Sequence, residues 1–413
     1  MNIKISPKNL SGNVAAIPSK SQGHRVLIAS ALSGSCIDVA GFSEDIEATK
    51  ECLVQLASSD TPVFDCRESG STLRFFLPMA TVLKSKSTFV GGGRLHERPL
   101  SPLKEQMEEH GCVFGKEGDE ICTLTGTLKA GKYTLPGNVS SQFVTGLLFA
   151  LPMLEESSEI ILSSPLQSSS YVTMTISALE SFGINIDILF DEIDGEPAYS
   201  AFRIKGGQKY VAPPEIKIEG DWSNAAFWLS AAAISTSPES VINCSGLNIL
   251  SEQGDRKITS ILKAFGANVK KCENLVTASP AELKGIEIDA MGIPDLIPIL
   301  AVVAAVSPGI TTIINAERLR IKESDRLHAM YDGLTKLGAD VEELSGGLII
   351  KGKEKLNGGT VSGFNDHRIV MSMAIASIRC ENPVIIEGAE AVSKSYPHFF
   401  DDFKALGGDF VAV

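Results

Sequence analysis

The segment from Arg318 to Arg326, Arg-Leu-Arg-Ile-Lys-Glu-Ser-Asp-Arg, places cations where the apolar spacing that follows predicts the start of a helix. Gly338 stands where that helix would take its C-terminal cap. Lys322 and Arg326 would then be like charges four residues apart at the positive end of a helix, and both features are unfavourable. An anion bound between the cations would offset that cost. The alternative is a solvated turn in which Glu323 pairs with arginine.

Cations elsewhere in the chain also stand at or near polar loops that lead into predicted helices. They are Lys20, Arg25, Arg74, Arg94, Arg98, Arg368 and Lys394. Three carboxylates, those of Asp295, Glu323 and Asp366, accompany them, although Asp295 and Asp366 could equally be plain helix caps. Many cations with a few carboxylates suit a small substrate that carries more than one phosphate or carboxylate. Acid–base chemistry without a metal or cofactor is the mechanism that these residue types favour.

Six helices rich in small and apolar residues must position these side chains. Each follows a short polar loop, and their starts are Ser19, Ser69, Ser140, Asp221, Asp295 and Asp366. A second kind of helix is amphipathic, ends in glycine and runs into a strand. Examples are Met107–Gly111, Leu179–Gly183, Leu262–Gly266 and Leu334–Gly338. The sequence therefore predicts a repeating unit of about βαβαββ, and internal repetition of this kind is a strong architectural signal.

The repeat predicts an α/β fold with two similar lobes, each an inside-out barrel of three units. Helices that are apolar on nearly all sides must be buried, so the sheets must cover them. If the buried helices are parallel, their positive ends converge and create an anion-attracting cleft between the lobes, which is the expected active site. The segment Val211–Glu219, with two prolines, is predicted to cross between lobes, whereas the segment before Ser19 could belong to either lobe.

Composition limits the class of protein. A length of 413 residues favours two domains. A net charge of −13 argues against nucleic acid or an anionic membrane as a partner. The eight cysteines have no metal-binding or C-x-x-C spacing, which indicates free thiols in a reducing cytoplasm. The N-terminus has no signal-peptide pattern, and the most apolar predicted helix, Ile297 to Val306, is too short to span a bilayer.

Several common catalytic motifs are missing from the sequence. It contains no G-x-x-x-x-G-K-[ST] phosphate loop, no G-x-G-x-x-G dinucleotide fingerprint and no G-x-S-x-G elbow. The histidines lack metal-ligand spacing, so no metal is expected. His367 remains a possible site residue because Asp366 and Arg368 flank it.

An ordered set of motifs adds a specific resemblance. The segments PSKSQGHR, ESGSTLR, GGGRLHERP, NVSSQF, IPD, LRIKESDRLHAM, NDHR and SKSYPHFF run from Pro18 to Phe400. In this order they resemble the 5-enolpyruvylshikimate-3-phosphate synthase family. The resemblance implies two lobes built from six βαβαββ units, residues 1–18 with 220–413 and residues 19–219, with crossings near 18–20 and 211–221. It also implies a monomer.

The resemblance further implies transfer of the enolpyruvyl group of phosphoenolpyruvate to the 5-hydroxyl of shikimate 3-phosphate, a step towards chorismate and the aromatic amino acids. The residues expected to hold shikimate 3-phosphate are Lys20, Ser21, Arg25, Ser140, Ser141, Gln142, Ser168, Tyr171, Asp295 and Lys322. Those expected to hold phosphoenolpyruvate are Lys20, Gly70, Arg98, Gln142, Arg326, Arg368 and Lys394. Asp295 would take the proton of the 5-hydroxyl, while Glu323 and Lys20 would transfer protons at the methylene carbon. Glyphosate is expected to compete with phosphoenolpyruvate beside Gly70.

Some positions depart from the usual family pattern. They are Glu68 in place of Asn, Ser71 in place of Thr, the pair Gln22-Gly23, and Arg318 where some members have Asn. Two rival functions remain. One is a UDP-N-acetylglucosamine enolpyruvyl transferase, which would be expected to show Lys-Asn near the N-terminus and a loop cysteine. The other is a non-catalytic anion-binding protein, for which Asp295 and Glu323 would bring no benefit.

Overall fold

The computed structural model describes residues 1–35, 37, 43–193 and 195–413. Packing divides the chain into two compact units: Met1–Ser19 together with Glu219–Val413, and Lys20–Ile218. Among the residues described, no helix is both long and apolar enough to cross a membrane.

The N-terminal segment and the unit Lys20–Ile218 contain the first ten strands and six helices. The N-terminal strands are β1 (Asn2–Ser6) and β2 (Gly12–Ala15). The helices that follow are α1 (Lys20–Leu32), α2 (Glu44–Ser58), α3 (Gly70–Leu83), α4 (Leu103–Glu109), α5 (Ser141–Ala150) and α6 (Ser169–Ser181). The strands of this unit are β3 (Val63–Asp65), β4 (Lys86–Val90), β5 (Cys112–Gly115), β6 (Cys122–Gly126), β7 (Lys132–Pro136), β8 (Ser158–Ser164), β9 (Ile186–Ile193) and β10 (Glu196–Ile204).

The remainder of the chain repeats this alternation. Its helices are α7 (Trp222–Ala233), α8 (Ile258–Phe265), α9 (Ile297–Ala305), α10 (Arg326–Lys336), α11 (His367–Ala376) and α12 (Phe399–Ala405). Its strands are β11 (Ile242–Ser245), β12 (Asn268–Cys272), β13 (Leu275–Ser279), β14 (Glu287–Asp289), β15 (Ile310–Ile314), β16 (Asp340–Leu344), β17 (Gly347–Lys351), β18 (Gly359–Ser362), β19 (Val384–Glu387) and β20 (Asp409–Ala412).

The strands form four-stranded sheets that share one topology. Two strands separated by a buried helix pair in parallel, as β3 does with β4, and a following hairpin such as β5–β6 adds two antiparallel strands. The other orders are β7-β8-β10-β9, β12-β13-β11-β2, β14-β15-β17-β16 and β18-β19-β1-β20. These five sheets match the predicted βαβαββ unit. The sixth unit starts with α1 and α2, and the connection between those helices includes residues 36 and 38–42, which lie outside the described part of the chain.

The two N-terminal strands complete sheets of the unit that contains Glu219–Val413. Strand β1 pairs with β19 and β20, and β2 pairs in parallel with β11. The unit is therefore continuous in space although 199 residues, Lys20–Ile218, separate its two segments in sequence.

The helices predicted to be buried are buried over most of their length. Helices α7, α9 and α11 have no exposed or half-buried position, and in α5 only Gln142 is not buried. Four of the six predicted starts are side-chain caps, in which an oxygen accepts a hydrogen bond from a backbone N–H of the first turn. They are Ser69, Ser140, Asp221 and Asp366. Asp295 is different, because α9 begins two residues later at Ile297, so the plain capping interpretation of Asp295 is wrong.

The glycines predicted to end the amphipathic helices have the backbone conformation that this role requires. Gly111, Gly183, Gly266 and Gly338 have φ values of +97°, +78°, +114° and +90°. A left-handed residue reverses the chain after a helix, and glycine adopts it without a Cβ clash. Each is followed within three residues by a strand, as predicted.

The segment Arg318–Arg326 differs from its prediction. Glu317–Ile321 is a short 3-10 turn, Lys322 is extended, and α10 begins only at Arg326. The carboxylate of Asp325 accepts a hydrogen bond from His328 N (3.1 Å) and so caps the helix at that point. Lys322 and Arg326 are therefore not neighbours on one helical turn, and the predicted repulsion at a helix start does not exist in that form.

Helices α3 and α5 touch through their backbones. Pro78 in α3 has no N–H to donate to the carbonyl of Arg74, four residues earlier. Gly146 of α5 lies against that carbonyl, and a Cβ added to Gly146 would overlap the Arg74 oxygen. Neither the added Cβ nor the backbone oxygen of Arg74 can rotate away from the other. This contact therefore sets the distance between the two helices.

We expect Gly146→Ala to reduce the free energy of unfolding by about 1–3 kcal/mol, the usual cost of over-packing a core. Urea denaturation, monitored by far-ultraviolet circular dichroism, measures this change. Gly115→Ala is the matched control, because its Cβ would have Thr123 O, at 3.8 Å, as its nearest neighbour. Equal stability of the two variants would show that the α3–α5 contact is not as tight as described.

Candidate active site

The guanidinium of Arg326 lies among three carboxylates in the unit that contains Glu219–Val413. Its Nε donates to Asp366 Oδ2, its Nη1 to Asp295 Oδ1 and its Nη2 to Glu323 Oε2, each at 2.8 Å. The Arg326 side chain is 1% exposed and that of Asp366 is fully buried, whereas Asp295 and Glu323 are 19% and 18% exposed. Asp366 is therefore the internal counter-ion, and the two partly exposed carboxylates are the ones that can meet a ligand.

Arg368 joins Asp295 to the starts of two helices. Its Nη2 donates to Asp295 Oδ2 and to Ser223 Oγ, each at 3.0 Å, and its Nη1 donates to the backbone oxygen of Asp295 at 3.1 Å. Arg368 is in the first turn of α11, Ser223 is in the first turn of α7, and Asp295 lies two residues before α9. Three helix N-termini thus meet here, and their partial positive charges add to that of the arginines.

Two lysines complete the cationic side of this cluster. Burial lowers the pKa of Lys322 to about 8; Asp295 opposes that shift, while Arg318 and Arg326 add to it. Lys394 is buried, and its Nζ donates to the backbone oxygen of Asn365, next to Asp366, at 2.7 Å. The structure therefore places Asp295, Lys322, Glu323, Arg326, Arg368 and Lys394 in one region.

The protonation of Asp295 depends on these cations. Burial works to raise the pKa of Asp295, but Arg368, Lys322 and Arg326 together hold it well below its ordinary value. Asp295 is consequently an anion at neutral pH, as a proton acceptor must be, but a weak base. An anion bound to the arginines would offset their charge and make Asp295 more basic.

Lys20 and Arg25 are fixed differently in the unit Lys20–Ile218. Lys20 is the first residue of α1, and its Nζ lies 2.7 Å from Asp45 Oδ2 in the first turn of α2. Arg25 is buried, and its guanidinium donates to Ser21 O (2.6 Å), Thr175 Oγ1 (2.8 Å) and Tyr171 O (2.8 Å). Burial lowers the pKa of Arg25 to about 10, so it remains charged at neutral pH.

The other predicted residues of this unit lie at the starts of α3, α5 and α6. An added Cβ on Gly70 would lie 2.5 Å from Arg98 Nη1, so only glycine leaves room for that guanidinium. The amide of Gln142 is oriented from both ends, because its Nε2 donates to Ser71 Oγ (2.9 Å) and its Oε1 accepts from Arg74 Nη1 (3.0 Å). Ser140 caps α5 and Ser141 begins it, while Ser168 precedes α6 with a φ of +55°.

One of the cations grouped by the sequence lies apart from the others, and one partner was missed. Arg94 forms an exposed pair with Glu97 and is a surface charge. Asp45 was not singled out, yet it holds Lys20 in place, and Arg74, which was grouped with the cations but given no ligand contact, holds Gln142. An acidic residue in a helix first turn is common, so Asp45 carried no signal of its own. Among the described residues, no group of three or more His, Cys, Asp or Glu could hold a metal ion.

Comparisons with known proteins agree on one family. The family profile described as EPSP synthase (3-phosphoshikimate 1-carboxyvinyltransferase) matches residues 54–403. The chain is 45% identical to the 3-phosphoshikimate 1-carboxyvinyltransferase of Clostridium acetobutylicum, over 98% of this chain and 97% of that protein. The corresponding protein of Clostridium perfringens is 44% identical, over 98% of both chains.

Solved structures show the same relationship at lower identity. The EPSP synthase of Acinetobacter baumannii is 25% identical and superposes with a TM-score of 0.77 over 100% of both chains. The enolpyruvyl transferase NikO of Streptomyces tendae has a TM-score of 0.78, covering 99% of this chain and 98% of its own, but only 16% identity. The second likeness shows a shared fold alone.

We expect Arg326→Gln to lower the free energy of unfolding at pH 7 by about 3–5 kcal/mol, because three carboxylates would lose their buried counter-ion. Urea denaturation at several pH values measures this loss. Asp295 and Asp366 have depressed pKa values in the folded protein. Their ion pairs with Arg326 therefore stabilise the folded state at pH values above the ordinary pKa of an aspartate, and this stabilisation is lost as the pH falls below that value. The difference between wild type and variant should therefore shrink below about pH 4.

Lys336→Gln is the charge-matched control, because Lys336 forms an exposed pair with Asp332 on α10. Lys336→Gln should lower the free energy of unfolding by only about 0.3–0.5 kcal/mol. A similar cost for both substitutions would contradict the central role of Arg326.

Proposed function

Because the chain belongs to the EPSP synthase (3-phosphoshikimate 1-carboxyvinyltransferase) family, we propose that it transfers the enolpyruvyl group of phosphoenolpyruvate to the 5-hydroxyl of shikimate 3-phosphate and releases phosphate. The observation that carries this proposal is the pairing of Arg326 with Asp295 and Glu323. Binding alone gains nothing from partly exposed carboxylates beside an anion site, whereas proton transfer requires them.

The proposed ligand contacts are those implied by the family motifs. Shikimate 3-phosphate is held by Lys20, Ser21, Arg25, Ser140, Ser141, Gln142, Ser168, Tyr171, Asp295 and Lys322. Phosphoenolpyruvate is held by Lys20, Gly70, Arg98, Gln142, Arg326, Arg368 and Lys394. The contacts within each unit support this assignment, because they hold several of these side chains in fixed orientations. The cytoplasmic location and monomeric state suggested by composition and family belong to the same proposal.

The proposed reaction is an addition followed by an elimination. Protonation of the methylene carbon by Glu323 or Lys20 makes the adjacent enol carbon electrophilic, and the 5-oxygen adds to it while its proton passes to Asp295. Glu323 or Lys20, which gave up its proton in the first step, then takes a proton back from the new methyl group of the tetrahedral intermediate as its carbon–oxygen bond to phosphate breaks. The enol ether forms and phosphate leaves.

The charges around Asp295 make its basicity depend on whether phosphoenolpyruvate is bound. Arg368, Lys322 and Arg326 hold the pKa of Asp295 well below its ordinary value. Phosphoenolpyruvate at the two arginines would supply negative charge and reduce that effect. Asp295 therefore becomes a better base when the substrate that needs it is in place.

An assay of phosphate release tests the proposed function directly. The purified protein is incubated with phosphoenolpyruvate and either shikimate 3-phosphate or UDP-N-acetylglucosamine. Release with shikimate 3-phosphate alone supports the proposal. Release with the nucleotide sugar would favour the rival transferase, and no release, with binding of phosphoenolpyruvate intact, would favour a non-catalytic anion-binding protein.

We expect Glu323→Gln to lower kcat by about 10²–10⁴-fold, the usual contribution of a general acid or base. The KM values should change much less, because Gln can still accept a hydrogen bond from Arg326. Glu342→Gln, at an exposed position of β16, is the control and should retain full activity. Near-normal turnover with weakened binding would assign Glu323 to charge balance instead.

We expect Gly70→Ala to raise the KM for phosphoenolpyruvate by roughly tenfold, equivalent to about 1.4 kcal/mol, because the new methyl group displaces the Arg98 guanidinium. The inhibition constant for glyphosate should rise further, and the thermal midpoint should change little, because the colliding atoms end flexible side chains. Gly92→Ala is the control, since its Cβ would meet only Glu68 at 3.9 Å. An unchanged KM, or a large drop in thermal midpoint, would contradict the steric explanation.

A further inference from the structure

One carboxyl group beside these cations has no role in the mechanism above. Asp255 lies in the 3-10 turn Gly254–Lys257 and is 6% exposed. Within the described part of the chain, its carboxyl group has no hydrogen-bond partner. An ionised carboxylate that is nine-tenths buried and accepts no hydrogen bond from the described residues is costly, which favours a proton on Asp255.

The turn that carries Asp255 is tied to the start of α7. The side chain of Gln253 accepts from Trp222 N (3.0 Å) and donates to Gly220 O (2.9 Å). Asp221 and Ser223 occupy the same helix start, and Ser223 Oγ accepts from Arg368. The turn that carries Asp255 is thereby held next to the helix start where Arg368 bonds to Ser223.

Four charged groups from four other segments act electrostatically on Asp255. Two are anions, Asp295 and Asp221, and two are cations, Arg368 and Lys322. Burial and the neighbouring Asp295 raise the pKa of Asp255 to about 7, and Asp221 acts in the same direction, while Arg368 and Lys322 oppose it. The two cations already serve Asp295, so a further carboxylate would compete for them.

We propose that Asp255 is a positioning residue for the reaction, whose carboxyl group carries a proton when the anionic substrates bind, so that Arg368 and Lys322 remain available to Asp295 and to those substrates. This inference rests on the proposed function. Ionisation of Asp255 would add a negative charge beside the site where phosphoenolpyruvate binds. Because coupling is reciprocal, an anion bound at Arg368 favours the protonated form of Asp255, and protonation of Asp255 favours anion binding.

The proposal has a consequence for stability that can be measured separately. The folded pKa of Asp255 is about 7, above its ordinary value. As the pH rises from the ordinary pKa of an aspartate to the folded pKa of Asp255, the unfolded chain releases the carboxyl proton of Asp255 before the folded protein does. Asp255 therefore makes the folded state progressively less stable over this pH range. Asp255→Asn removes this effect, and the variant should melt at a higher temperature than wild type at pH 8.5 but not at pH 5.

The experiment compares the KM for phosphoenolpyruvate of wild type and Asp255→Asn, at saturating shikimate 3-phosphate, from pH 6 to 8.5. The wild-type KM should rise about threefold or more between pH 6 and 7.5, whereas the variant should keep the low-pH value of the wild type over that range. Near pH 8, where Lys322 loses its proton, the KM for phosphoenolpyruvate should rise in both proteins. Ionisation of the substrate is common to both proteins and cancels in the comparison. Asp340→Asn, at an exposed end of β16, is the control and should follow wild type.

Several results would overturn the inference. The same pH dependence in both proteins, or an equal loss of turnover by Asp255→Asn at every pH, would assign Asp255 a structural role only. Failure of Asp255→Asn to fold would also count against it, because a neutral isostere of the protonated acid should be tolerated. If wild type does not turn over these substrates, the proposed function fails, and the melting temperatures at pH 5 and 8.5 still decide whether Asp255 is the buried acid described here.

Discussion

The buried guanidinium of Arg326 is the constraint on which the surrounding acids depend. A cation with 1% exposure requires full hydrogen bonding and counter-ions, and three carboxylates supply both. Asp366 takes the fully buried position, which leaves Asp295 and Glu323 on the side that reaches solvent. Asp295 and Glu323, two of the three proposed proton-transfer groups, are therefore placed by the requirement to satisfy a buried charge.

The apolar helices explain why so many charged groups meet. A helix that is buried at every position, such as α7 or α11, offers unpaired backbone groups and polar side chains only at its ends. Arg368, at the start of α11, bonds to groups at or near the starts of α7 and α9, so the positive ends of three such helices reinforce the same site. The resulting field favours anions but also suppresses the basicity of Asp295. Substrate charge and enzyme protonation are consequently linked throughout this cluster.

The sequence by itself determined the class of fold, the family and most of the helix pattern. Polar loops followed by runs of small and apolar residues located the buried helices, and glycines such as Gly266 and Gly338 marked the ends of amphipathic helices. Both signals are local, since apolar runs and left-handed backbone conformations are properties of a few contiguous residues. The ordered motifs then identified the family, which the comparisons confirmed.

Only the tertiary structure decided which charged groups pair. Asp295 had the pattern of a helix cap, yet it bonds to Arg326 and Arg368, 31 and 73 residues away. Asp366 is both a cap and a counter-ion, and Asp255 carried no sequence signal at all. The physical reason is competition: several carboxylates can satisfy one guanidinium, and the outcome depends on burial and geometry that arise only when distant segments pack together.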